Sequence, residues 1–73
     1  MMFDSTKVAK AADMKLVGVD NWYDWIVCDD NGETVYLKVV ENDVGCFDIV
    51  FRVDAPDAGW GFLCQVDAEE VLV

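Results

Sequence analysis

The chain has 73 residues, of which 15 are Asp or Glu, 5 are Lys or Arg and none is His, so its formal net charge is -10. This length allows one domain, and a hydrophobic content of 55% with a single Pro predicts that the domain folds. The shortage of Lys and Arg argues strongly against direct binding of nucleic acid through a basic surface, and histidine chemistry is excluded.

Sequence features that would indicate a membrane, a metal or a cofactor are missing. No run of 18 apolar residues predicts a transmembrane helix, and the first residues lack the basic and apolar regions of a signal peptide. Cys28, Cys46 and Cys64 are odd in number and lack the spacing of a zinc site, which favours reduced, structural thiols. We therefore expect a cytoplasmic protein that uses no metal, no other cofactor and no membrane.

The first predicted element is a short helix. Asp4 and Ser5 suit an N-cap, and residues 6–14 are rich in Ala, Lys and Val with one narrow apolar stripe. Residues 1–15 carry a net charge of +1 (three Lys against two Asp), whereas residues 16–73 carry -11 (two basic against thirteen acidic). The body of the domain is therefore almost uniformly acidic.

After the helix, the pattern becomes alternating, which is typical of β-strands. We predict strands at residues 16–19, 22–28, 33–41, 46–54 and 60–66. Asn31 and Gly32 tolerate the positive φ of a type I′ turn, so they predict a hairpin and its register. One face of this hairpin pairs Cys28 with Val35 and Ile26 with Leu37; the other pairs Val27 with Tyr36, Trp25 with Lys38 and Tyr23 with Val40.

The strand at residues 46–54 alternates most clearly. Phe47, Ile49, Phe51 and Val53 point to one side, which indicates a half-buried antiparallel strand. If Phe51 is a large inward side chain, Phe51→Ala costs about 3–5 kcal/mol of stability.

The last residues predict one helical turn and a short final strand. Asp67 and Glu70 have capping-box spacing, and residues 71–73 can close the sheet. This ending, over about a dozen residues, resembles the end of an SH3-like small barrel, which implies a curled sheet and no particular activity. We predict one α+β domain over residues 1–73, in which a helical segment within 1–14 packs on a curled antiparallel sheet of four or five strands within 15–73.

No catalytic arrangement is present. The chain has one Ser, no His and singly scattered glycines, so we predict no enzymatic activity. Asp29, Asn31 and Glu33 are spaced like the first ligands of a calcium loop, but Val40 stands where an EF-hand needs Glu. A solvated acidic turn is therefore favoured over weak binding of divalent ions.

The acidic surface is the main functional indication. Its charge exceeds what solubility requires of a small domain, and crowded like charges cost stability. We predict that the carboxylates imitate a phosphate backbone and occupy the basic nucleic-acid-binding surface of a partner protein, against the alternative of a merely solubilising surface. The candidate acidic residues are Asp24, Asp29, Asp30, Glu33, Asp48 and Asp54.

The second indication is aromatic. Tyr23, Trp25 and Tyr36 share one face of the predicted hairpin, and Trp60 starts another strand. Either the helix or a barrel closure covers this face as ordinary core, or these residues anchor a partner, because Trp and Tyr dominate interface energies. Trp25 beside Lys38 also suits a cation–π pair.

In size and acidity the chain resembles phage-encoded inhibitors of host defence and nucleic-acid-processing proteins, such as anti-restriction, anti-CRISPR and uracil-DNA glycosylase inhibitor proteins. The resemblance implies steric and electrostatic competition for the basic surface of a protein partner, without direct contact to nucleic acid. The alternative is an SH3-like adaptor or assembly module that binds a partner, or a second copy, through the aromatic face. The oligomeric state, monomer or dimer, stays open.

Overall fold

A computed structural model describes residues 2–20, 22, 24–42 and 45–73. Its elements are α1 (Ser5–Ala11), β1 (Lys15–Val19), β2 (Ile26–Asp30), β3 (Glu33–Glu41), β4 (Phe47–Val53), β5 (Gly61–Val66) and α2 (Ala68–Val71). Each strand pairs antiparallel with its neighbour in chain order, so β1 and β5 are the edges of a five-stranded sheet. The α+β class, the short first helix and the antiparallel sheet are thus confirmed. Both helices of the described chain are too short to span a bilayer.

Helix α1 begins after Asp4, whose carboxylate accepts hydrogen bonds from two first-turn amides at 2.9 and 3.3 Å. Val8 and Ala9 are buried where the helix packs against β1, β2 and β3. The helix ends at Ala11, earlier than predicted, because Asp13 adopts a left-handed φ of 58° that breaks the helical path. We call the face of the sheet against which the helix packs the inner face.

The β2–β3 hairpin has the predicted register, with Cys28 opposite Val35. Its turn is formed by Asn31 and Gly32, whose φ values of 54° and 90° are the left-handed conformations that a type I′ turn requires. Strand β2 begins later than predicted, because Asp24 also adopts a positive φ of 58° and interrupts the extended chain. Because the turn sets the register of the hairpin, it also determines which residues of β2 and β3 face α1.

The hydrophobic core lies between the inner face and the two helices. Its fully buried side chains are Leu37, Ile49, Val8, Val71 and Cys28. At the far side of the core the Phe3 and Phe47 rings meet edge to face, with centroids 5.5 Å apart. The aliphatic face predicted for the hairpin is therefore the buried one.

Phe51 faces inward as predicted, opposite Leu37, and its side chain is partly buried at the margin of the core. The ring packs on Gly61, where a Cβ atom would lie 3.0 Å from the ring. Because the side chain is only partly buried, we expect Phe51→Ala to cost less than the loss of a fully buried Phe.

The C-terminal segment does not close the sheet. Helix α2 begins after Asp67 as predicted, but Leu72 then forms an isolated antiparallel bridge with Phe3. The Asp4 amide donates to the Val71 carbonyl at 2.8 Å. The chain ends therefore pair with each other rather than with β1, the sheet stays open, and the SH3-like barrel is not confirmed.

Candidate protein-docking face

The face of the sheet opposite the helices, which we call the outer face, has no described helix over it. It is built from alternate residues of β2 to β5: Val27, Asp29, Thr34, Tyr36, Lys38, Val40, Asp48, Val50, Arg52, Phe62 and Gln65. None of these side chains is fully buried. The aromatic hairpin face is therefore not covered by α1, which was one of the two interpretations of the sequence.

Three aromatic rings meet on the outer face, and we call Trp25, Tyr36 and Trp60 the aromatic cluster. The Trp25 centroid lies 5.6 Å from that of Tyr36 and 5.1 Å from that of Trp60, with interplanar angles of 53° and 75°. Trp25 precedes β2 and Trp60 precedes β5, strands that are three spacings or about 14 Å apart. The two indoles therefore reach across β3 and β4 to form one continuous surface.

Two cations lie within the aromatic cluster, and they are the only basic residues after Lys15. The Lys38 ammonium lies 4.4 Å from the Trp60 centroid, and the Arg52 guanidinium lies 5.8 Å from that of Trp25. Both distances are within the range of cation–π attraction. Arg52 Nε is buried without a hydrogen-bond partner, so the indole face offsets part of the cost of removing this cation from water.

The six predicted acidic residues separate into two groups at opposite ends of the sheet. Asp29, Asp30, Glu33 and Asp54 lie around the β2–β3 turn, and Asp24 and Asp48 lie near the other end. Along β3 the two ends of the outer face are six residues apart, or about 20 Å. The six carboxylates thus lie at both ends of the sheet and do not form one patch, and only Asp29 and Asp48 are among the outer-face residues.

The second of these ends carries further acids that were not among the candidates. Because the strands alternate in direction, the described residues of the segments 20–25, 41–48 and 67–70 all lie there. They contain no Lys or Arg, and their described acids are Asp20, Asp24, Glu41, Asp48, Asp67, Glu69 and Glu70. This grouping follows from the observed strand order, since every second connection of an antiparallel meander lies at the same end.

Tyr23, one of the three aromatic candidates, lies outside the described residues. Its neighbour Trp22 is 89% exposed in the β1–β2 loop. The Asp20 carboxylate accepts a hydrogen bond from the Trp22 amide at 2.8 Å, and the Asp24 amide donates to the Asp20 carbonyl at 2.9 Å. The loop therefore presents an indole between two carboxylates, which the predicted continuous strand did not anticipate.

A cleft of about 610 Å³ adjoins this loop, between the N-terminal segment and the sheet. Its lining includes Phe3, Asp24, Trp25, Lys38 and Val39. The cleft lies between the aromatic cluster and the β1–β2 loop, so one side chain of a partner could contact both.

The surroundings of Cys28 and Cys64 lower the reactivity of their thiols. Burial raises the pKa of the Cys28 thiol, and burial followed by the carboxylates of Glu70 and Asp48 raises that of Cys64. A protonated thiol is a poor nucleophile. The Asp29 carboxylate accepts a hydrogen bond from the turn at 3.4 Å, and among the described residues no three acidic, Cys or His side chains are arranged to hold a metal ion.

No protein-family model, no curated protein and no solved structure matches this chain. A function for this protein is therefore inferred from the chain's own residues and their arrangement.

Proposed function

We propose that this protein is a small acidic inhibitor, of the kind encoded by phages, that occupies the basic nucleic-acid-binding surface of a host defence or nucleic-acid-processing protein. The observation that supports this proposal most directly is the composition of the outer face. Its aromatic cluster is not covered by a helix and lies between Asp29 near one end of the face and Asp48 near the other, with further carboxylates at both ends of the sheet.

The two parts of this face have different tasks in the proposed mechanism. The carboxylates pair with Lys and Arg of the partner and speed the encounter, although each exposed pair contributes only about 0.2–1 kcal/mol. The aromatic cluster supplies the anchors, since a buried Trp or Tyr in an interface commonly contributes about 2 kcal/mol or more. Binding then excludes nucleic acid because both ligands use the same basic residues of the partner.

The first experiment is capture of partners from a host lysate with the tagged protein, at about 50 mM and about 500 mM salt. We expect a basic nucleic-acid-binding protein that is released at high salt and that a competing oligonucleotide displaces. Charge reversal at Asp24, Asp48 and Asp54 should abolish capture, while Lys10→Glu, a charge reversal at an exposed position of α1 on the helix side, serves as the control. A partner that stays bound at high salt and ignores the oligonucleotide would contradict the proposal.

The second candidate function is an adaptor or assembly module that binds a partner, or another copy, mainly through apolar contacts. The observation that favours it is the exposure of large apolar residues on the sheet, with Val17 at 65% and Phe62 at 64%. In this case Trp25→Ala would weaken binding strongly, whereas reversal of the three carboxylates would change it little. The same set of variants therefore separates the two functions.

A further inference from the structure

The two edges of the sheet are not equivalent. In the described chain β5 pairs with β4 only, so the backbone groups along its other side are left without a neighbouring strand. Residues 58–66 form an uncharged run of nine residues, whereas no other uncharged run in this sequence exceeds four. The longest uncharged segment of the sequence therefore contains the edge strand β5.

Folded proteins normally protect edge strands with charges, short length or bulges, because an open edge accepts further strands. Strand β1 has such protection: it is five residues long, begins with Lys15 and has an irregular register between Leu16 and Gly18. Strand β5 also has an irregularity opposite Ile49, but it carries no charge, and its Phe62 is 64% exposed beside the aromatic cluster. The edge at β5 is thus the open one, and it continues the outer face.

Charges at the two ends of β5 indicate what can be added there. Asp54 and Asp57 precede the strand at one end, and Asp67, Glu69 and Glu70 follow it at the other. A complementary strand has an uncharged middle and Lys or Arg at both ends. A second copy does not satisfy this requirement, because antiparallel pairing of two β5 strands would bring Asp57 of one copy towards Asp67 of the other.

We propose that β5 is a docking edge that binds an extended segment of the partner, with an apolar middle and basic residues at both ends, by adding it as a sixth strand. This inference rests on the basic partner of the proposed function and adds the mode of contact. Backbone hydrogen bonds supply the pairing, as in other strand additions, and the flanking carboxylates select the partner by charge.

The test uses a synthetic peptide of alternating Thr and Val with two Lys at each end. Amide hydrogen exchange of the whole protein, followed by NMR, should show new protection in β5 and none in β1. Two matched peptides complete the design: one with Glu in place of Lys should bind about tenfold more weakly or worse, and one with alternate amides N-methylated should lose binding. Phe62→Lys should weaken binding of the Lys peptide, whereas Val17→Lys, at equal exposure on the other edge, should not.

Protection outside β5, equal binding of the Lys and Glu peptides, or undiminished binding of the N-methylated peptide would each overturn the inference. Concentration-dependent dimerisation of the protein alone, with protection of β5, would overturn it in favour of a second copy. The inference and the proposed function fail separately. A captured basic partner that leaves β5 exchange unchanged refutes the docking edge alone, whereas peptide binding at β5 without any salt-released partner refutes the inhibitor alone.

Discussion

Ile49 and Phe51 provide the sharpest test of the fold, because burial and side-chain size predict opposite orders of cost. Ile49 is fully buried, and Ile49→Ala removes three carbon atoms, which costs about 2.4 kcal/mol of transfer free energy. The cavity left behind raises the loss of stability to about 3–4 kcal/mol. Phe51 is larger but partly exposed, so Phe51→Ala should cost less, about 2 kcal/mol.

The assay is urea unfolding followed by tryptophan fluorescence. For a domain of this size the free energy of unfolding is about 4–11 kcal/mol. It falls by about 1 kcal/mol for each M of urea, so the urea midpoints of the two variants should differ by more than 1 M. Val40→Ala, whose side chain is exposed on the outer face, is the control and should change little. A Phe51→Ala midpoint below that of Ile49→Ala would refute the description of the core.

Three further predictions concern charge. Because the net charge is -10, added NaCl should raise the melting temperature in thermal denaturation, and a salt-independent melt would contradict repulsion as a cost. A double-mutant cycle of Lys38→Met and Trp60→Leu should give a coupling of about 0.5–1 kcal/mol for a cation 4.4 Å from the ring, and a coupling near zero would refute the contact. Folding raises the pKa of Cys28 and Cys64 above 9.0, so as the pH rises the thiols lose their protons in the unfolded chain before they do so in the folded protein. The free energy of unfolding therefore keeps the full contribution of these thiols below pH 9 and loses it as the pH rises further. Urea midpoints should therefore fall between pH 8 and pH 10, and the decline should be smaller when both cysteines are replaced by Ala.

The local parts of the fold were predictable from the sequence, because they depend on neighbouring residues. Asn31 and Gly32 fix the turn by their tolerance of positive φ, and the register of β2 on β3 follows from the turn. The bridge between Phe3 and Leu72 was not predictable, because it joins residues from opposite ends of the chain. A period of two assigns residues to faces, but it does not indicate which face a helix will cover.

The same distinction applies to the candidate site. The pattern placed Trp25 and Tyr36 on one face, and both are in the aromatic cluster. Trp60 joins them only because the indoles lean across two intervening strands, and no spacing in the sequence reports that approach. The division of the carboxylates between two ends follows from strand direction, which composition alone does not report.

The pairing of the chain ends has a practical consequence for how this protein can be displayed. The Val73 amide donates to the Met2 carbonyl at 3.3 Å, and the Lys7 ammonium donates to the Leu72 carbonyl at 2.9 Å, so both ends leave the molecule beside the helices. An affinity tag, fluorophore or surface linker attached at either end therefore begins on the helix side of the molecule, near the cleft that Met2 and Trp25 line. A short linker joining the ends would give a circular permutant with new termini in the loop at residues 54–60, which moves the point of attachment to the end of the sheet that carries Asp54 and Asp57.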